Sequence, residues 1–278
     1  MEYRLPTAGR LLMIPFLTRL RAWIRASGHG GAHPTVDHDR SSRDRFASIS
    51  DIGLQRASNQ DTVLVRPELG LWVVADGMGG HAGGAEASRI ACEAVSESVE
   101  NGLSLPDAFE VAHARVRFDQ QENADRQDMG TTLVAMHEQG PRIELAWVGD
   151  SRAYRFERDS GRLECLTRDH NIAGRLLAAG SITAEQARNH PQRNILTDCI
   201  GQREGLPEIE HQTHQWRPGD WWLLCTDGLS GEVPEETLTE ILAISTTPAD
   251  AAERLLAAAL ETGGRDNISL IVLATPES

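Results

Sequence analysis

The fold is decided by the stretch LWVVADG, residues 71–77, in which an apolar run of strand length ends at Asp76 and a glycine. The stretch WWLLCTDG, residues 221–228, repeats this pattern and ends at Asp227. Asp150 follows a third apolar run, and Asp266 precedes a fourth. An ionised carboxylate at the mouth of a buried strand is costly unless it is paired or holds a metal. The four aspartates therefore predict one acidic metal cluster that the fold assembles.

Composition limits the classes of function. The chain has 278 residues and is 40% hydrophobic, enough for one large domain or two small ones. Its net charge of -14 argues against nucleic-acid binding, which needs a basic surface. The four cysteines show no paired spacing, so they predict neither a disulfide framework nor a zinc site. A reduced, cytoplasmic compartment fits this pattern best.

The first 45 residues differ from the rest. They carry eight arginines against four acidic residues and read as a basic extension, followed by a globular domain at 46–276. Residues 11–25 predict a short basic amphipathic helix, and residues 27–44 a flexible linker. Such a segment can dock weakly on a partner or, peripherally, on the inner membrane; it can equally be an incidental tail or the product of an upstream start codon. Its apolar run is too short to span a bilayer.

Hydrophobic periodicity predicts the elements of the main domain. Strands are expected at 62–65, 70–75, 131–136, 142–148, 152–156, 221–225 and 268–273, and helices at 85–99, 104–118, 171–179, 183–189, 234–242 and 248–261. Strands and helices do not alternate regularly, which argues against a doubly wound parallel sheet. We expect an α+β fold: two packed, mostly antiparallel β-sheets flanked by helix layers, a four-layer α-β-β-α sandwich.

The residue types indicate a chemistry. Oxygen ligands without His or Cys favour magnesium or manganese over zinc. Gly77 leaves its main-chain carbonyl open to an ion. Two neighbouring ions can convert a shared water to hydroxide and neutralise a phosphoryl group under attack. Such a site needs a cationic fork for the phosphate, for which Arg56 is the candidate. Arg56 could instead form a surface ion pair, and Asp150 could lie in a structural turn.

Together these motifs resemble those of the metal-dependent serine/threonine protein phosphatases, the PPM or type 2C family, in their compact bacterial form. The matching stretches are residues 50–61, 73–88, 130–133, 148–154, 166–170, 190–201, 224–229 and 263–272. They follow the family's order, and the set is far more specific than any one member.

The resemblance implies a ligand for each metal. Asp76 corresponds to the carboxylate that bridges two manganese or magnesium ions. The carbonyl of Gly77 would bind one ion, and Asp227 and Asp266 the other. Asp150 corresponds to the residue that, with Asp227, holds a third and looser metal.

The resemblance also assigns residues around the metals. Arg56 corresponds to the phosphate-binding arginine, and Asn267 would orient the ligands. Asp61, Gln60 and His81 would lie in the outer shell. Gln60 stands where the family often has glutamate, which weakens that residue's role.

The implied function is hydrolysis of phosphoserine and phosphothreonine in proteins by a hydroxide that bridges two metals. The expected partners are phosphorylated proteins and a cognate serine/threonine kinase, and the expected state is a monomer. Residues 167–201 fall where the family carries a mobile flap beside the active site. Two rivals remain: a pseudophosphatase that serves as a binding module, and a phosphatase acting on a regulator of a transcription factor.

Overall fold

The computed structural model describes residues 45–80 and 83–275. Its strands are β1 (Phe46–Asp51), β2 (Asp61–Arg66), β3 (Leu71–Met78), β4 (Gly130–Thr131), β5 (Leu133–Gln139), β6 (Arg142–Val148), β7 (Arg152–Glu157), β8 (Arg162–Cys165), β9 (Glu210–Gln215), β10 (Trp221–Cys225) and β11 (Ile268–Ala274). Its α-helices are α1 (Gly83–Glu100), α2 (Leu105–Glu122), α3 (Ile172–Ala178), α4 (Ala184–Arg188), α5 (Asp227–Ser230), α6 (Glu235–Ile244) and α7 (Pro248–Glu261). Two short 3-10 helices span Pro67–Leu69 and Ala124–Arg126.

The strands form two antiparallel sheets. One sheet has five strands in the order β1-β11-β10-β7-β8. The other has six, in the order β2-β3-β5-β6-β9 with β4 paired to β3. Two antiparallel sheets with helices confirm the predicted α+β fold.

Strand β10 contributes alternate side chains to two hydrophobic cores, one on each face of its sheet. Trp222 and Leu224 belong to the core between the sheets, whereas Trp221 and Leu223 belong to the core that includes α6 and α7. Helix α1 packs on β2 and β3, and α2 packs on α1. Both faces of the central strands are therefore buried, which is why their sequences are continuously apolar rather than alternating.

The predicted helix starts have the expected caps. The side chain of Ser104 accepts a hydrogen bond from the backbone N–H of Asp107 at the start of α2. Thr247 does the same for Asp250 at the start of α7, which has Pro248 in its first turn. These side chains satisfy N–H groups that have no partner within the helix.

Three strands and one short helix escaped the sequence prediction, namely β1, β8, β9 and α5. Strand β9, Glu210–Gln215, shows the reason most clearly, because its sequence EHQTHQ contains no apolar residue. It pairs only with β6, at the edge of its sheet, so backbone hydrogen bonds place it without apolar burial. Strand β3 also continues three residues beyond its predicted end, to Met78.

None of the helices in the described part of the chain has the length and apolar character needed to cross a bilayer. The amphipathic helix and linker predicted for residues 11–44 lie outside the described residues, so their docking role stays a prediction.

Candidate active site

Five aspartates lie at or near strand ends along one edge of the sandwich. Asp61 begins β2 and lies opposite Asp76 of β3 in the antiparallel register. Asp227 begins α5 directly after β10, and Asp266 precedes β11. Asp150 lies in the turn where the chain passes from β6 of one sheet to β7 of the other. Both sheets therefore contribute carboxylates to the same edge.

The carboxylates lie close enough to perturb one another. Burial raises the pKa of Asp76 well above its usual range, and the charges of Asp227, Asp61, Asp150 and Asp266 raise it further. Burial is also the main cause that raises the pKa of Asp61 to about 7 and that of Asp227 to about 6. The edge holds more negative charge than its surroundings neutralise, which is the condition for binding cations.

Two carboxylate oxygens of this acidic edge have no hydrogen-bond partner in the described part of the chain. Oδ1 of Asp227 and Oδ1 of Asp61 are buried, and neither accepts a hydrogen bond from the described residues. Buried acceptors are normally satisfied, so these oxygens are available to a ligand. All-oxygen donors of this kind fit a hard divalent cation.

The carboxylates are neighbours, but they do not converge on one point. Within residues 45–80 and 83–275, no three His, Cys, Asp or Glu side chains are grouped so that they could hold one ion. Asp266 is engaged elsewhere, because its Oδ2 accepts a hydrogen bond of 2.6 Å from Arg56. The ligand set read from the sequence thus stays a prediction.

Arg56 lies beside the acidic edge with about half of its side chain exposed (53%). The sequence allowed either a phosphate contact or a surface ion pair, and the structure places an ion pair with Asp266. The charges of Asp76 and Asp227 also raise the pKa of Arg56, after the hydrogen bond to Asp266. A phosphate held by this guanidinium would therefore lie next to the carboxylates.

Asn267 fixes the loop that carries Arg56. It is buried, and its Nδ2 donates to the carbonyl oxygens of Ile52 and Ser58, each at 3.0 Å. Its Oδ1 accepts from the backbone N–H of Gln60 at 2.8 Å. The amide therefore orients the loop that bears Arg56.

Gly77 leaves no room for a side chain. A Cβ at this position would lie 2.1 Å from the carbonyl oxygen of Gly84 and 2.5 Å from that of Gln60. The side chain of Gln60 donates to the carbonyl oxygen of Gly79 at 3.3 Å, so it contacts the same glycine-rich turn. The backbone here is compact enough to keep the carbonyl of Gly77 fixed.

Sequence reasoning missed two threonines that hold Asp76. The backbone N–H of Asp76 donates to Oγ1 of Thr132 at 3.0 Å, and Oγ1 of Thr131 donates to the carbonyl oxygen of Asp76 at 2.8 Å. Both residues lie in the matched stretch 130–133, which was the available signal. They fix the backbone at the centre of the acidic edge.

Asn171 was also missed. Its Nδ2 donates to Oδ2 of Asp150 at 3.2 Å, and both residues are buried. Its Oδ1 accepts from the backbone N–H of Gly174 and caps α3. An asparagine before a helix predicts such a cap, but nothing in the sequence predicts the second contact.

We call residues 167–201, which include α3 and α4, the flap segment. At its start, Arg152 donates two hydrogen bonds of 2.8 Å to the carboxylate of Asp169. At its end, Nε2 of Gln120 donates to the carbonyl oxygen of Gly201 at 2.8 Å. Both ends are therefore tied to the sandwich.

A cleft of about 430 Å³ opens beside Asp150 and Asp227. It extends along the flap segment, where Leu177, Val233 and Arg193 are among the residues that line it. The remaining predicted site residue, His81, lies outside the described residues.

A helix–sheet–sheet–helix sandwich with carboxylates gathered at one edge is the architecture of the metal-dependent protein phosphatases. The chain belongs to the protein phosphatase 2C family, whose model matches residues 55–262. The resemblance read from the motifs is thereby confirmed.

Relatives in other bacteria give the same assignment. The chain is 38% identical over 234 residues to the serine/threonine protein phosphatase PstP of Mycobacterium tuberculosis strain H37Rv, covering 82% of this chain but only 44% of PstP. It is 36% identical over 211 residues to the serine/threonine phosphatase stp of Listeria innocua, covering 72% of this chain and 82% of that protein. The chain thus spans less than half the length of PstP.

Solved structures agree with the fold. The crystal structure of the M. tuberculosis serine/threonine phosphatase PstP/Ppp matches with a TM-score of 0.77 and 36% identity, over 84% of this chain and 99% of that one. The catalytic domain of PstP in complex with two manganese ions matches with a TM-score of 0.74 and 33% identity, over 84% and 98%.

Proposed function

We propose that this protein is a metal-dependent phosphatase that removes phosphate from phosphoserine and phosphothreonine in proteins and reverses a bacterial serine/threonine kinase. One observation carries the proposal: carboxylates from both sheets gather at one edge beside Arg56, in a chain that belongs to the protein phosphatase 2C family. The names of PstP and stp describe the same activity in those relatives.

The residues that would hold metal are Asp76, Gly77, Asp227, Asp266 and Asp150. The charges of the four other aspartates all raise the pKa of Asp76, so it lies near each of them and could serve more than one ion. Asp227 and Asp266 would hold one ion, the carbonyl of Gly77 the other, and Asp150 with Asp227 a third. Divalent manganese or magnesium bound there would supply Lewis-acid chemistry, neutralising phosphoryl charge and making water more acidic. The two manganese ions bound to the catalytic domain of PstP support this choice of metal.

The chain's own residues position the substrate. The guanidinium of Arg56 would grip two phosphate oxygens, which requires it to leave or share its contact with Asp266. Asn267 holds the loop that carries Arg56 in a fixed position relative to the carboxylates. The unpaired Oδ1 of Asp61 would accept a hydrogen bond from water at the edge.

The test is turnover by the purified full chain. With Mn²⁺ we expect release of inorganic phosphate from a phosphothreonine peptide, and no release after chelation by EDTA until metal is restored. Full activity in excess chelator would contradict the metal-dependent mechanism. Manganese binding without any turnover would favour the pseudophosphatase.

A further inference from the structure

We propose that Asn171 is a positioning residue whose side-chain amide ties the first turn of α3 to Asp150. Through this contact, metal binding at Asp150 and ligand binding in the cleft each change the affinity of the other site. The inference rests on the proposed function, because it takes Asp150 as a metal ligand.

Both ends of the amide are in use. Oδ1 of Asn171 accepts from the backbone N–H of Gly174 at 2.8 Å, and Nδ2 donates to Oδ2 of Asp150 at 3.2 Å. A backbone N–H needs an acceptor and a carboxylate needs a donor, so one orientation of the amide satisfies both. The side chain is 3% exposed, so water does not compete for either bond. Asparagine makes the two contacts with two different atoms, whereas a serine or threonine cap would have to make both with one hydroxyl oxygen.

The first turn of α3 cannot shift independently of this contact. A Cβ on Gly174 would lie 2.2 Å from the carbonyl oxygen of Asp169, so the turn packs directly on that residue. Asp169 is clamped in turn by both hydrogen bonds from Arg152. The backbone of Asn171 is fixed as well, through a β-bridge to Leu196. Movement of α3 therefore changes the position of the amide relative to Asp150.

The cleft is the second of the two binding sites in the proposed coupling. Four residues of α3 line it, Ala173, Gly174, Leu177 and Ala178, and so does Asp150. Anything that enters the cleft contacts the helix whose cap is bonded to Asp150. Coupling between two binding sites is reciprocal, so metal at Asp150 would stabilise α3 as much as contacts to α3 favour the metal.

The size of the effect follows from similar contacts elsewhere. Hydrogen-bond donors that orient metal ligands typically change metal affinity by 10- to 100-fold when they are removed. We expect loss of the Asn171 donor to raise the Mn²⁺ concentration for half-maximal turnover by about tenfold.

One substitution separates the cap from the coupling. Asn171→Ser keeps an oxygen that can cap α3, but its hydroxyl is one bond shorter than the amide, so the Nδ2 donor that lies 3.2 Å from Oδ2 of Asp150 is removed. The matched control is Thr183→Ala, which removes the cap of α4 in the same flap segment. The side chain of Thr183 bonds within α4 and, among the described residues, makes no hydrogen bond to the acidic edge.

Two measurements test the proposal on the full chain. The first is the Mn²⁺ dependence of turnover with p-nitrophenyl phosphate. The second, independent of activity, is hydrogen exchange of the α3 amides by mass spectrometry with and without Mn²⁺. In the wild type, Mn²⁺ should slow exchange in α3. In Asn171→Ser this slowing should be lost and the Mn²⁺ midpoint raised, whereas Thr183→Ala should respond to Mn²⁺ like the wild type.

The outcomes separate this inference from the proposed function. If Asn171→Ser keeps the wild-type Mn²⁺ midpoint and the wild-type slowing of exchange, the coupling is refuted while the phosphatase assignment stands. If the wild type neither turns over nor responds to Mn²⁺, the proposed function is refuted and the inference with it.

Discussion

The acidic edge and the flap segment lie side by side but are held in place by different contacts. Asp76 lies within β3, where ladder hydrogen bonds fix its backbone. The side chains of Thr131 and Thr132 also bond to this backbone. The flap segment is tied down by side chains from distant parts of the chain, such as Arg152 and Gln120. Backbone hydrogen bonds along a strand thus hold Asp76, whereas the flap segment beside it is held by side-chain contacts between residues far apart in the sequence.

The largest effect is expected at the acidic edge. Asp76→Asn should lower turnover by several orders of magnitude, since Asp76 is the proposed bridge between ions. The same change should raise the melting temperature in chelator, because it removes a buried charge that four neighbouring carboxylates repel. Activity assays and thermal unfolding of the same sample measure both effects. The control is Asp128→Asn, since Asp128 is an exposed carboxylate paired with Arg203. Normal turnover in Asp76→Asn would remove Asp76 from the site.

We call the two hydrogen bonds from Arg152 to Asp169 the clamp of the flap segment. Breaking this clamp should lower activity less than Asp76→Asn does, and it should destabilise the folded protein rather than stabilise it. Asp169→Asn removes the nearer of the two carboxylates that pair with the largely buried Arg152 and leaves only Glu235, at 3.7 Å, which we expect to cost about 2 kcal/mol. We expect turnover to fall about tenfold, because outer contacts position the site without being its ligands. Denaturant unfolding and steady-state kinetics check this prediction. An unchanged free energy of unfolding would show that the clamp contributes nothing.

Much of this comparison could be predicted from the sequence, but unevenly. Strands β3 and β10 were predictable because burial on both faces makes them continuously apolar. The aspartates at their ends were therefore predictable as well. The contact of Asn171 with Asp150 was not, since it joins residues 21 positions apart through a turn whose path the local sequence does not determine. Strand β9 was missed because an edge strand needs backbone partners rather than apolar side chains.

Substitution of Arg56 is expected to change the kinetics about as much as breaking the clamp, with a smaller effect on stability. Arg56→Ala should raise the Michaelis constant roughly tenfold by removing charge-assisted hydrogen bonds to the phosphate, and Arg56→Lys should restore only part of the loss. Stability should change by less than about 1 kcal/mol, because the ion pair with Asp266 is partly exposed. Arg203→Ala, which removes a comparable exposed arginine, is the control. Unchanged kinetics in Arg56→Ala would leave it only the ion pair.

The smallest effect is the dependence of stability on pH. Burial raises the pKa of Asp61 to about 7 and that of Asp227 to about 6. A carboxyl whose pKa rises on folding stabilises the folded state while it is protonated, and this stability is lost as pH rises through the folded-state pKa. In chelator, the melting temperature should therefore fall by several degrees between about pH 5 and pH 8. Asp61→Asn should flatten this slope, and an equal slope in both proteins would contradict the shifted pKa.

The central claim is that the carboxylates at this edge bind divalent metal. Isothermal titration calorimetry of the full chain with Mn²⁺ tests this claim most directly, with the Asp76→Asn variant as the comparison. We predict that the wild type binds at least two Mn²⁺ ions per chain, as many as the catalytic domain of PstP holds, and that Asp76→Asn loses this binding. No Mn²⁺ binding by the wild type, or equal binding by the two proteins, would contradict the claim.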